Sequence, residues 1–464
     1  MHNSDLLTNF KNLIGGQKDF FSSNKTKDIK FRKKQLSKLY TIVKENEELL
    51  YEAIYKDFRK SAFETFETEL SLIYHEIKLA RKKLGKWSRK KRVKTDLANF
   101  PGSSYIIPEP LGCTLVIGAW NYPYQLSILP AVASIAAGNT VIIKPSEIAA
   151  NTSKIMAEII NKNFEKEILH VVEGGIEETS ALLEQKFDKI FYTGGSEVGK
   201  IIMKAAAENL CPVVLELGGK SPAIVLSDAN IKMAVKRIVF GKFLNGGQTC
   251  VAADYILVNK KIKEKFINEL KKRIKEIFGE DASNSEAFTS IINKRHFDRL
   301  VKLIDNDKVI IGGDYNEEKL HISPTVMDNV SWDDDVMQQE IFGPILPIIE
   351  FEYLTEVIDQ VKQREKPLAL YLFTTCSRKK NIVFNELSFG GGMLNDTVTH
   401  FANANLPFGG VGYSGMGNYH GKYGFDTFSH QKSIVQKTNL IELSIKYPPF
   451  TNFKLKVLKF VLRT

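Results

Sequence analysis

Short runs of β-branched and apolar residues recur at intervals of roughly 20 to 30 residues through the first half of the chain. They are Thr114–Ile117, Val141–Ile143, Leu169–Val172, Lys189–Tyr192 and Val213–Leu215. Helix-compatible stretches separate them. Parallel βαβ crossovers produce this rhythm, which predicts an open, doubly wound sheet with a ligand crevice at the carboxyl ends of its strands. Leu111–Ile143 carries no charged residue and is long enough to suggest a membrane span. However, Asn121, Tyr122, Pro123, Gln125, Pro130 and Gly138-Asn139 break it into strand, turn, helix and strand. A buried βαβ unit is therefore expected.

A second series of strands begins near Pro222: Ala223–Leu226, Tyr255–Val258, Val309–Ile311, Leu346–Glu350 and Leu368–Phe373. Lys261–Phe278 reads as an amphipathic helix between two of them. A second α/β domain is expected, with Cys250 near its start. Lys27–Arg92 is helical in pattern and heavily charged, Ala98–Pro110 reads as an extended arm, and another extended segment follows Gly391. Lys454–Arg463 alternates Lys with Leu, Val and Phe. It is read as a helix that docks on the protein's own surface, since the tail is short and lacks a lipidation Cys, or else touches a membrane.

A length of 464 residues gives a prior of about two to four domains. With 43% hydrophobic and 25% charged residues, neither disorder nor a fibrous repeat fits. The net charge of +10 is spread among acidic residues on helix-like stretches, as in Lys260–Lys275, and describes a solvated basic surface. No zinc-finger spacing or RNA-binding aromatic motif accompanies it, so nucleic acid is not an expected partner. Cys113, Cys211, Cys250 and Cys376 are widely spaced, and Met1–Gln17 lacks the apolar core of a signal peptide. A cytoplasmic protein with free thiols follows.

Gly246-Gly247-Gln248-Thr249-Cys250 places a thiol after small, flexible residues. A nucleophilic thiol needs open approach and N–H groups aimed at the oxyanion it creates, and the two glycines are expected to let the backbone come close to a substrate. A buried, inert cysteine beside a glycine turn is the alternative. Four further segments carry compatible chemistry. Asn121, in Trp120-Asn121-Tyr122-Pro123, offers a side-chain NH₂ to an oxyanion. Lys144-Pro145-Ser146-Glu147 ends the second strand, where an acidic residue meets a ribose hydroxyl in doubly wound sheets. Thr193-Gly194-Gly195-Ser196-Glu197-Val198-Gly199 opens a helix whose N–H groups can hold a phosphate, although its spacing is not G-x-G-x-x-G. Glu216, in Leu215-Glu216-Leu217-Gly218-Gly219-Lys220, faces desolvation that raises its pKa toward that of a general base.

These motifs, in this order, resemble those of aldehyde dehydrogenases. Glu340-Ile341-Phe342-Gly343-Pro344 continues the match, as do Leu406-Pro407-Phe408-Gly409-Gly410-Val411-Gly412 and Ser414-Gly415. Tyr419-His420-Gly421-Lys422, Phe425-Asp426-Thr427-Phe428-Ser429-His430 and Tyr447-Pro448-Pro449 are similar to the class 3 and fatty-aldehyde branch. Some relatives in that branch extend into a hydrophobic anchor, which residues up to Thr464 do not match, so integral membrane attachment is not expected.

The resemblance implies an α/β fold of three parts. A NAD(P)-binding domain would take residues 1–97 and 108–217, and a catalytic domain 218–394. An oligomerisation arm would take 98–107 and 395–435, with a tail at 436–464. It implies Cys250 as nucleophile, Glu216 as the base that activates water, and Asn121 as the oxyanion donor. It implies Lys144 and Glu147 on the adenosine ribose, and Gly194, Gly195, Ser196 and Gly199 near the pyrophosphate. Glu340 would hold the nicotinamide ribose, with Phe342 packed beside the nicotinamide. The cofactor would be NAD or NADP, no metal is called for, and a homodimer is expected. Two alternatives remain: a coenzyme A-acylating dehydrogenase, or a catalytically retired binding protein.

Overall fold

The computed structural model describes residues 3–279, 282, 285 and 288–462. Five strands form the parallel part of the first sheet: Cys113–Ile117, Thr140–Lys144, Leu169–Val171, Lys189–Thr193 and Val213–Glu216. They coincide with the five β-branched runs. Cys113–Ile117 lies between Thr140–Lys144 and Lys189–Thr193, so the chain winds outward to one side and then returns to the other. That reversal opens a crevice at the carboxyl ends. Alternate residues fill two cores: Val116, Ile143 and Phe191 face one side, and Leu115, Ile142 and Ile190 the other.

Helix Pro123–Ala137 explains the uncharged run. Every one of its residues is buried, Pro123 stands at its start, and Gly138 ends it in a left-handed conformation. No helix among the described residues is long and apolar enough to cross a membrane. Helices Ile29–Glu45 and Ser71–Trp87 cover it with Leu36, Leu39 and Val43, and with Ile73, Ile77, Ala80 and Leu84. That spacing of three and four residues is a helical stripe.

The second sheet runs Val309–Ile311, Thr325–Met327, Ile345–Phe351, Tyr255–Asn259, Pro222–Val225, Ala369–Phe373 and Gly391–Leu394. All neighbours are parallel except the first pair. Its helix Lys263–Phe278 buries Phe266, Leu270, Ile274 and Phe278. Two strands, Gly102–Pro110 and Ser429–Lys437, pair antiparallel along their whole length, with Lys91–Val93 on the outer edge. The extended segment expected after Gly391 is different. Gly391–Leu394 belongs to the second sheet, and Gly415–Met416 pairs antiparallel with the edge of the first. Helix Gly421–Thr427 follows, so the chain is extended again only from Ser429.

The tail forms helix Asn452–Leu462, while Arg463 and Thr464 lie outside the described residues. Self-docking is slight. No residue of this helix is buried, Lys454, Val457 and Leu458 are half-buried, and Phe450, Phe453 and Phe460 are exposed.

Candidate active site

The nucleophile loop is built on an unusual backbone. After helix Ile231–Phe243, Asn245, Gly246 and Gly247 take φ of 56°, 60° and 75°. Asn tolerates this left-handed region and glycine enters it freely. A Cβ on Gly246 would lie 2.7 Å from the Thr289 carbonyl oxygen, and one on Gly247 would collide with the Gly343 carbonyl. The glycines therefore let the loop lie against two neighbouring backbones, so the close approach expected toward a substrate is made to Thr289 and Gly343 instead. Gln248 is buried and clamps the turn. Its Nε2 donates to Asn245 O and Ser290 O at 3.0 Å each, and its Oε1 accepts from Ile292 N at 3.0 Å. Thr249 Oγ1 lies 2.6 Å from Tyr122 Oη. Cys250 follows, half-buried.

Asn121 is buried, and its Nδ2 donates to Gln248 O at 3.0 Å. This bond fixes the amide beside the nucleophile loop and leaves its second N–H for another acceptor. Glu216 ends strand Val213–Glu216, is 3% exposed, and neither carboxylate oxygen has a hydrogen-bond partner. Desolvation holds its pKa well above the usual carboxylate range. Its carbonyl accepts from Gly194 N at 3.0 Å, tying the base to the glycine turn. Desolvation, then the charges of Glu340 and Glu216, pushes the Cys250 thiol up to about 12, opposed by the N–H groups of Cys250 and Val251. The thiol is thus protonated at rest, and attack requires its proton to move to a base.

Glu340 is held by side chains that the sequence reading missed. Lys220 Nζ donates to Asp254 Oδ2 at 2.5 Å, Gln339 O at 2.8 Å and Val336 O at 2.9 Å. Asp254 Oδ1 accepts from Ile341 N at 3.0 Å, and Arg299 Nη2 donates to Ile341 O at 2.6 Å. They fix the backbone on both sides of Glu340, and its carboxylate lies against Gly218, where a Cβ would strike it. Desolvation and the Asp254 charge push it up to about 8. Phe342, at φ 50°, packs edge-on against Trp120 with ring centroids 5.3 Å apart. Lys220 lies within a quoted motif, but Asp254 and Arg299 bind backbone atoms from scattered positions and leave no signature.

The remaining residues line the carboxyl edge of the first sheet. Lys144 is 1% exposed. Its Nζ donates to Pro145 O at 2.7 Å and lies 3.4 Å from Glu147 Oε2, at the half-exposed Glu147. Gly195 starts helix Ser196–Glu208 with no side-chain cap, and nothing lies within 4 Å of a Cβ built on it. Uncapped N–H groups beside open space suit a pyrophosphate. Ser196 is half-buried on the same turn. A Cβ on Gly194 would strike the Tyr192 hydroxyl, and one on Gly199 would lie 3.0 Å from Leu217 Cδ2. These residues fit a dinucleotide: a cation and a carboxylate at one strand end, a bare helix start at another.

The chain matches the model of the aldehyde dehydrogenase family over residues 10–434. It is 48% identical to 4,4'-diaponeurosporen-aldehyde dehydrogenase of Staphylococcus aureus (strain NCTC 8325 / PS 47), over 95% of this chain and 96% of that one. It is 43% identical to a mouse (Mus musculus) aldehyde dehydrogenase described as dimeric and NADP-preferring, over 96% and 98% of the two chains. The solved substrate-bound state of Staphylococcus aureus AldH superposes with a TM-score of 0.96 at 47% identity, covering 97% of this chain and 99% of that one. The chain belongs to the aldehyde dehydrogenase family, in its class 3 branch, and is an oxidoreductase that works with NAD or NADP.

Proposed function

We propose that the protein oxidises a medium- or long-chain aliphatic aldehyde, or an aromatic one, to the free carboxylic acid. The observation that supports this most is the arrangement of three groups, with the Asn121 amide bonded to the nucleophile loop and the Glu216 charge felt by the Cys250 thiol. They are a half-buried thiol at Cys250, an amide donor at Asn121 and an unpartnered buried carboxylate at Glu216. In this reading the Cys250 sulfur bonds to the aldehyde carbon as its proton passes to solvent water. The carbonyl oxygen becomes an oxyanion held by the Asn121 amide and the Cys250 N–H. NAD(P), when bound, supplies the hydride acceptor. Lys144 and Glu147 would hold its adenosine ribose, the Gly194–Gly199 turn its pyrophosphate, and Glu340 and Phe342 its nicotinamide half. Glu216 then takes a proton from water, the hydroxide adds to the Cys250 thioester, and the C–S bond breaks to release the acid.

Glu216 also weighs against the coenzyme A-acylating alternative, since a thiol acceptor needs no water-activating base. The test is to follow NADH or NADPH formation across a series of aldehyde chain lengths, with and without coenzyme A. Turnover with both cofactors and no dependence on coenzyme A is expected. A rate that requires coenzyme A, or cofactor binding without turnover of any aldehyde, would refute the proposal.

The division at residues 218 and 394, and a homodimer, belong to the same proposal; the mouse relative's description as dimeric supports the latter. So does a cytoplasmic protein in peripheral contact with lipid. Lys454, Lys456 and Lys459 alternate with exposed Phe453, Leu455 and Phe460 on the tail helix. Basic and apolar side chains together suit an anionic surface. Co-sedimentation with vesicles containing phosphatidylserine, lost on deleting 451–464, is expected; equal binding by the truncated chain would reject the contact.

A further inference from the structure

An ion pair lies at the back of the site, on residues outside every motif that carries the chemistry. Lys60 Nζ is 2.8 Å from Glu69 Oε1, and both side chains are 0% exposed. A pair this deep is an expensive way to stabilise a fold, because the desolvation penalty offsets most of its attraction and apolar side chains of similar volume often do as well. Its remaining contacts are specific. Glu69 stands in the π-helical turn Phe66–Leu70, a distortion found often at functional sites. Its Oε2 accepts from Tyr124 N at 2.8 Å and Gln125 N at 3.2 Å. Those are unpaired donors of the first turn of helix Pro123–Ala137, which has no side-chain cap of its own. Glu69 thus fixes the helix start directly after Asn121-Tyr122.

Lys60 closes the other side. Its Nζ lies 3.4 Å from Asn121 O and 4.2 Å from the centroid of the Tyr122 ring. Asn121 O also accepts from Asn245 Nδ2 at 2.8 Å, and Asn245 N donates to Glu64 Oε1 at 2.6 Å. The Tyr122 hydroxyl reaches Thr249, the neighbour of Cys250. One buried cation therefore touches the backbone of Asn121 and the ring that touches the nucleophile loop.

We propose that Lys60 and Glu69 are positioning residues for the oxyanion site: through the Asn121 carbonyl and the helix start they hold the Asn121 amide in register with Cys250. The proposal rests on the proposed function above. A displacement of about 1 Å at such a site costs about 10²-fold in rate, which gives a brace of this kind its value.

The test is a double-mutant cycle on the acylation step, read as the first-turnover burst of NADH. The variant Lys60→Met with Glu69→Gln removes both buried charges while keeping volume and an acceptor for Tyr124 N. It is made alone and in an Asn121→Ala background. Alone, it is expected to slow acylation about tenfold or more, with the KM for cofactor within about twofold of wild type. In the Asn121→Ala background, itself slowed about 10²- to 10³-fold, the same change should cost less than about twofold. Equal losses in both backgrounds, or no loss in either, would overturn the proposal. If the neutral pair fails to fold, Lys60→Arg, which preserves the charges but shifts the donor, carries the same cycle with the same two readings. Wild-type protein without aldehyde-dependent NADH would instead refute the proposed function. In that case hydrolysis of an activated aryl ester, which needs the thiol and its oxyanion donors but no cofactor, reads the same cycle.

Discussion

Replacing Cys250 with alanine is expected to lower aldehyde-dependent NADH formation about 10⁴-fold or more while cofactor binding persists. The other thiols cannot stand in for it. Cys113 and Cys211 are buried in the core on one face of the first sheet, where their Sγ atoms donate to Gln17 Oε1 at 3.3 Å and Pro212 O at 3.7 Å. Cys376 stands at the start of helix Ser377–Glu386, where its backbone N–H donates to Asp228 Oδ2 at 3.0 Å. Neither alanine nor the backbone around it can form the covalent intermediate, so the loss should fall on the chemical step. Cys250→Ala leaves the Gln248 clamp and the Asn245–Gly247 turn intact, so its melting temperature should stay near that of wild type. Burst and steady-state kinetics, with cofactor titrated by fluorescence, check this. Retained turnover would remove Cys250 from the mechanism.

Glu216→Gln should separate the two halves of the reaction. The thiol, the oxyanion donors and the dinucleotide-binding residues remain, so a burst approaching one NADH per subunit is expected. Steady turnover should fall about 10²- to 10⁴-fold, the range lost with a general base. The same substitution has a consequence for stability. The native pKa of Glu216 is raised, so between the ordinary carboxylate value of about 4.3 and the native value the folded protein binds the extra proton. Wild-type stability therefore falls as pH rises through that window. Glutamine cannot ionise, so Glu216→Gln should melt higher than wild type at pH 8 and close to it near pH 4. Differential scanning fluorimetry across that range reads the difference. A variant less stable than wild type at pH 8 would contradict an unpartnered buried carboxylate.

The sheets were legible in the sequence where strands are buried on both faces. Such strands are continuous β-branched runs, as at Val141–Ile143 and Lys189–Tyr192, and each reappears within a strand of the parallel sheet. Thr325–Met327 and Gly415–Met416 were missed because three or two residues are too few to show a period. The tail was legible as a helix but not in its slight docking, since alternation of Lys with apolar residues does not say what meets the apolar side. At the site, side chains that carry chemistry lie in compact motifs. Those that hold them in place do not: Lys60, Glu69, Asp254 and Arg299 act on backbone atoms far away in sequence, and only the folded chain brings them there. The glycines before Cys250 were visible but misread, because their φ values and the carbonyls they face are properties of the fold.

The most direct measurement is intact-peptide mass spectrometry of Glu216→Gln, acid-quenched after incubation with NAD and an aldehyde that wild type oxidises. The peptide containing Cys250 should gain the mass of the acyl group, in step with the NADH burst, and no other cysteine should. An unmodified Cys250 in a variant that still makes its burst of NADH, or acylation at another residue, would contradict it.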